Sequence, residues 1–123
     1  GGFEELLSSG YSFVSYPLRV VIRLYPRGEK DFPARIAVSV SKRRFKRAVK
    51  RNRVKRLIRE TYRLNKNILY SYIPEDKTMD ILFIYLHDEI FEYGKIEKAI
   101  TGAIKKIRSY IEKDGSGDIA DTH

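Results

Sequence analysis

The chain has 123 residues, 42% of them hydrophobic and 33% charged, with no cysteine and a net charge of +9. That length fits one domain able to bury its own core, and the lack of cysteine excludes disulfides and thiolate metal sites. The longest apolar runs, such as Ile81–Leu86, are far too short to span a bilayer.

The opening residues Phe3–Ser9 predict a short helix, with Glu4 and Glu5 in a first turn where the helix end is positive. Gly10 stops it. Ser12–Tyr16 predicts a strand ending at Pro17, a residue suited to an edge or a bend. Leu18–Tyr25 alternates: Leu18, Val20, Ile22 and Leu24 share one face, and Arg19, Val21, Arg23 and Tyr25 share the other. A loop follows to about Pro33. Arg35–Ser41 predicts a third strand, with Ile36, Val38 and Val40 toward the core and Arg35, Ala37, Ser39 and Ser41 opposite. The small side chains there leave room for a ligand to approach the sheet.

Ala48–Leu69 has helical periodicity, with Val54, Leu57, Ile58, Thr61, Asn65 and Ile68 on one side and Asn52, Arg56, Arg59, Arg63 and Lys66 on the other. Met79–Leu86 predicts a fourth strand. Lys95–Glu112 predicts a last helix with a continuous apolar stripe of Ile96, Ala99, Ile100, Ala103, Ile104, Ile107 and Ile111. Phe45, Phe83 and Phe91 are assigned to the core and His87 to the surface. The expected fold is α+β, a four-stranded sheet packed with helices. Residues 1–113 form one domain, and the small polar residues 114–123 predict a disordered tail.

Charge is concentrated in one place. Ser41–Lys66 holds thirteen Lys and Arg against the single acid Glu60, a net +12, whereas the other 97 residues net −3. Like charges at helical spacing repel by a few tenths of a kcal/mol per pair. An ordinary solvated helix face alternates in sign, so this face calls for a polyanion, most simply a nucleic acid. Arg56, Arg59 and Arg63 form a row spaced by about 5–6 Å, similar to successive phosphates. Asn52 suits either a base edge or a local cap. Tyr11, Phe13, Tyr16, Tyr25 and Tyr62 suit either stacking on unpaired bases or the core.

The run Ser39-Val40-Ser41-Lys42-Arg43, followed by Ala48-Val49-Lys50-Arg51-Asn52-Arg53-Val54-Lys55-Arg56-Leu57-Ile58-Arg59-Glu60, resembles the signature of the bacterial ribonuclease P protein subunit. Arg51-Asn52-Arg53 matches that family's "RNR" hallmark, and Gly10-Tyr11-Ser12-Phe13 extends the match upstream. The resemblance implies the order α-β-β-β-α-β-α with a left-handed βαβ crossover, as in the second domain of ribosomal protein S5. It implies pairing with a catalytic RNA that removes the 5′ leader of precursor tRNA, using Mg²⁺ bound mainly by that RNA. The protein alone is then inactive and carries no catalytic residue or metal of its own.

By the same resemblance Arg51, Asn52, Arg53, Arg56 and Arg59 face the catalytic RNA, with Arg63 continuing the row, and Lys55 lies near the leader. Ser39, Lys42 and Arg43 line the leader cleft, where Phe13 and Tyr16 are candidates for stacking. Two positions depart from the family pattern. Leu7 stands where many relatives have an aromatic residue, and Lys46 stands where Gly would permit a turn with φ > 0. The expected partners are ribonuclease P RNA and precursor tRNA, with neither DNA nor a membrane, in the cytoplasm. One alternative is a ribosomal-type structural protein binding RNA through the same face. A protein-only nuclease needs clustered carboxylates or His, and here the acids are scattered and His87 is far in sequence from His123.

Overall fold

A computed structural model of the chain describes residues 10–29 and 32–115. The elements are β1 (Tyr11–Ser15), β2 (Leu18–Pro26), β3 (Ala34–Ser39), α1 (Ala48–Tyr70), β4 (Lys77–Tyr85) and α2 (Tyr93–Gly115). Three strands, a basic helix, a strand and a helix follow one another as the periodicities predict. The helix expected over Phe3–Ser9, Leu7 included, lies outside the described residues. Of the tail expected over 114–123, residues 114 and 115 instead continue the last helix, and the rest lies outside the described residues.

The sheet has the order β1-β2-β4-β3. β2 runs antiparallel to both β1 and β4, in register from Leu18↔Tyr85 to Pro26↔Lys77. β3 is parallel to β4, and α1 is the crossover joining them. A cis Tyr16-Pro17 peptide lies in the turn from β1 to β2.

Both helices pack on one face of this sheet. Val20 and Ile22 of β2, Ile81 and Phe83 of β4, and Val38 of β3 meet Val54 and Ile58 of α1 and the predicted stripe of α2 in one core. Every residue of that stripe is buried. β1 is drawn close to α2: Ser15 Oγ donates to the Ala99 carbonyl at 2.7 Å, and a Cβ at Gly102 would sit 3.1 Å from that oxygen. A side chain at residue 102 would therefore crowd the Ser15 hydroxyl, which would have to give by a few tenths of an ångström.

Several expectations need correction. In the second half of α1 the buried residues are Thr61, as expected, together with Tyr62 and Leu69, whereas Asn65 is half-buried and Ile68 is 52% exposed. The Tyr62 ring packs on Phe83, centroids 6.1 Å apart, and its bulk turns that half of the helix toward the core. Tyr62 is thus a core residue rather than a stacking platform. His87 and Phe91 are both half-buried and lie parallel, 4.1 Å apart. His87 is therefore part of an aromatic cluster, and Phe91 sits at the margin of the core.

The other face of the sheet carries three cross-strand rows. Val21, Leu82 and Ala37 form the middle one, and Val21 and Leu82 are buried in a small cluster with Ile84. Arg19, Ile84 and Ser39 form the row toward the C-terminal end of β3. The third row is polar. Asp80, 3% exposed, accepts from Arg35 Nε and Nη2 at 2.8 Å each and from the Tyr25 hydroxyl at 2.9 Å.

Burial alone would raise the Asp80 carboxyl. The hydrogen bonds from Arg35 and Tyr25 and the charges of Arg35 and Arg23 outweigh it and hold the group below its ordinary value. A depressed carboxylate contributes stability that is present above the ordinary carboxylate range and lost as pH falls through the folded value. Asp80→Asn should therefore cost about 1–3 kcal/mol at pH 7, and urea unfolding should show the two proteins converging as the wild-type carboxyl is protonated in acid.

Candidate nucleic-acid interface

The connection from β3 to α1 is a folded turn rather than a loose loop. Arg43 N donates to Ser41 Oγ at 2.9 Å, and Phe45 N donates to the Ser41 carbonyl at 3.0 Å. Phe45 is buried against Tyr85. Lys42, Arg43, Arg44, Lys46 and Arg47 are left pointing outward. Arg44 is paired with Asp88 at 2.9 Å. Among the described residues no non-glycine has a positive φ, so Lys46 takes this turn without the left-handed backbone that Gly would permit.

α1 then begins under unfavourable local conditions. Its N-cap is Arg47, which makes no side-chain capping bond, and its first turn has no acid. Cations instead crowd the positive end of the helix. Bare amide groups and like charges at one helix end form a site that an anion relieves.

Along the helix, the structure separates the predicted residues by role. Arg53, Arg56 and Arg59 are exposed and form no ion pair among the described residues. Asn52 is exposed and Lys55 half-buried. Both border a shallow recess with Arg56, Arg59 and Arg63. Arg63 is exposed but paired with Glu60, and its hydrogen bond holds the Glu60 carboxyl below its ordinary value. The one acid of the array is therefore engaged.

Arg51 differs from its neighbours. It is half-buried, and its Nη1 donates to the Phe45 carbonyl at 2.8 Å and the Lys46 carbonyl at 3.0 Å. Instead of facing outward with the rest, it fastens the turn to the helix it precedes.

The expected cleft is only partly assembled. Ser39 is exposed on the second sheet face, in the row of Ile84 and Arg19, and Lys42 and Arg43 follow at its end. Phe13 does not join them. It pairs with Val20, points to the helix side and packs against the core, with the Lys106 ammonium 5.6 Å from its ring centroid. Strand alternation puts Phe13 and Ser39 on opposite faces. Tyr11 also lies on the helix side, stacked on Tyr110 of α2. Tyr25 sits on the second face, bound to Asp80. Tyr16, 53% exposed, hydrogen-bonds His87 at 3.0 Å and meets Phe91 edge-on.

The floor beside Ser39 therefore consists of Ala37, expected on this open face, together with Ile84 and the exposed Arg19, which were not expected there. The period-2 alternation of β2 already placed Arg19 opposite Leu18 and Val20, and that was the available signal. The middle of this face is not bare, because Val21 and Leu82 are already buried there.

A family model described as Ribonuclease P matches residues 2–108. Over 105 residues the chain is 43% identical to a ribonuclease P protein component of Porphyromonas gingivalis, covering 85% of this chain and 76% of that protein. A ribonuclease P protein component of Chlorobaculum tepidum is 43% identical over 70 residues, covering 57% of this chain and 43% of that one. Among solved structures, the RNase P protein of Thermotoga maritima superposes with a TM-score of 0.66 at 23% identity, over 85% of this chain and 89% of that one. The RNase P protein of Staphylococcus aureus gives 0.65 at 24% identity, over 86% and 88%. At such identities these two likenesses speak for the fold.

The difference between Arg51 and its neighbours is measurable. Arg51→Ala should lower stability by about 1–2 kcal/mol and speed amide exchange at residues 45–48. Arg56→Ala should change stability by no more than about 0.5 kcal/mol. Chemical denaturation and hydrogen exchange report both.

Proposed function

The chain belongs to the ribonuclease P protein family, and from that premise we propose that it binds a catalytic RNA and the 5′ leader of precursor tRNA. In this reading the ribonucleoprotein removes the leader, the RNA carries the chemistry, and the protein positions the substrate. The observation that carries it is the outer face of α1. Arg53, Arg56 and Arg59 are exposed and unneutralised beside Lys55 and Asn52, on a helix whose uncapped start favours an anion.

Lys42 and Arg43 connect this face to the row of Ser39, Ile84 and Arg19, which gives an extended single strand a short floor flanked by cations. The leader path proposed is that row, without Phe13. Mg²⁺ enters through the RNA. Among the described residues no three His, Cys, Asp or Glu side chains converge where a metal could be held, so no step is assigned to a protein-bound ion.

Two experiments test this reading. With ribonuclease P RNA and precursor tRNA, the protein should raise leader cleavage at low Mg²⁺ while cleaving nothing alone. Arg56→Ala and Arg59→Ala should each weaken RNA binding about tenfold and lower the salt slope by about one. Cleavage by the protein alone would refute the assignment. Tight RNA binding with no gain in cleavage would favour a ribosomal-type structural role.

The second experiment varies salt. If ~6–10 phosphates are neutralised, affinity should fall by roughly 10³–10⁵ between 50 and 200 mM. A nearly flat response would contradict an interface built on phosphate contacts.

A further inference from the structure

The basic helix also borders a second recess, on the flank facing the connection from β4 to α2. This open groove of about 470 Å³ lies between α1 and residues 90–93, within the size range of small-ligand pockets. Leu57, Ile90 and Phe91 supply an apolar floor, and Arg53 and Arg56 stand on the α1 side. Two acids, Glu60 and Glu92, also line it. Glu60 is occupied by Arg63, which leaves Glu92 as the acceptor.

The aromatic wall is already ordered. Phe91 lies parallel to His87 at 4.1 Å with 8° between the rings, and the Tyr16 hydroxyl holds His87 from the other strand end. The Lys95 ammonium lies 5.2 Å from the Phe91 centroid. Tyr93, 40% exposed, adds a ring to the lining. A wall ordered beforehand loses little entropy when a ligand docks.

The occupant can be read from this chemistry. A flat ring suits the apolar and aromatic lining, and guanidinium groups both stack on bases and pair with phosphate. The groove shares Arg56 and Glu60 with the recess of Asn52, Lys55, Arg59 and Arg63, so an RNA strand on that row passes its mouth. A carboxylate repels phosphate but accepts hydrogen bonds from the amino edge of a base. We infer that this groove takes one unpaired nucleobase bearing an exocyclic amino group, turned out of an RNA chain whose phosphates run along α1. The inference rests on the RNA-binding reading above and adds base selectivity to it.

The test uses the full protein alone, titrated with GMP, CMP, UMP and ribose 5-phosphate at low salt and followed by amide chemical shifts. GMP and CMP should move Leu57, Ile90 and Tyr93 and bind at least about fivefold tighter than UMP. Ribose 5-phosphate should perturb only the surroundings of Arg53 and Arg56. Glu92→Ala should abolish the preference over UMP, and Tyr93→Ala should weaken all three nucleotides while sparing ribose 5-phosphate. Both altered side chains are exposed, so the fold should persist, as the unperturbed core amides will report. Equal responses to all four ligands, or base-dependent shifts at Ala37 and Leu82 instead, would overturn the inference. Because no partner RNA is present, that failure would leave the cleavage assay untouched, and a failed cleavage assay would not abolish nucleotide selectivity.

Discussion

The apolar underside of α1 is what allows a helix whose charges are nearly all of one sign to exist on this protein. Val54, Ile58 and Leu69 are fully buried and Tyr62 nearly so. Each such side chain contributes roughly 1.5–3 kcal/mol when removed from water, whereas each like-charge pair on the outer face costs a few tenths. The seam wins by a wide margin, so repulsion along Arg53, Arg56 and Arg59 is held in the native state instead of melting the helix. The charges stay in water and the apolar side chains carry the load.

Holding that charge leaves local choices in the sequence unresolved within the chain itself. The first turn of α1 lacks acids and a side-chain cap, although either would stabilise an isolated helix. Within α1 itself Glu60 is the one acid, and Arg63 already engages it. Consistency across levels breaks here, a pattern common at functional surfaces. Arg51 shows the limit of reading such a run as uniform. One guanidinium in the middle of it closes a turn through two backbone carbonyls.

The sheet divides its labour by face. One face is consumed by both helices, and the other combines a small apolar cluster, the Asp80 network and the short row containing Ser39. The network keeps a nearly buried carboxylate charged by giving it three donors, since an unpaired charge there would be far more costly. It ties β2, β3 and β4 together at the end away from Ser39. The exposed end is thus backed by a rigid one.

Alternation along β2 and β3, the stripe of α2 and the charge of α1 were all legible in the chain. These are local periodicities, and burial on one side of a strand or helix imposes them directly. The family signature was legible for the same reason, as it lies in one contiguous stretch. The face occupied by Phe13, the burial of Tyr62 and the joining of Tyr16, His87 and Phe91 were not. Each depends on which strand pairs with which and on where a helix of fixed pitch comes to rest, and the contacts of Tyr16 with His87 and Phe91 join residues 71 or more apart in the chain. By itself, then, the sequence determined the elements, their order and the place where positive charge gathers. Only tertiary packing decided which aromatic rings line a surface and which arginine is structural, because side-chain surroundings are set by neighbours that no local pattern encodes.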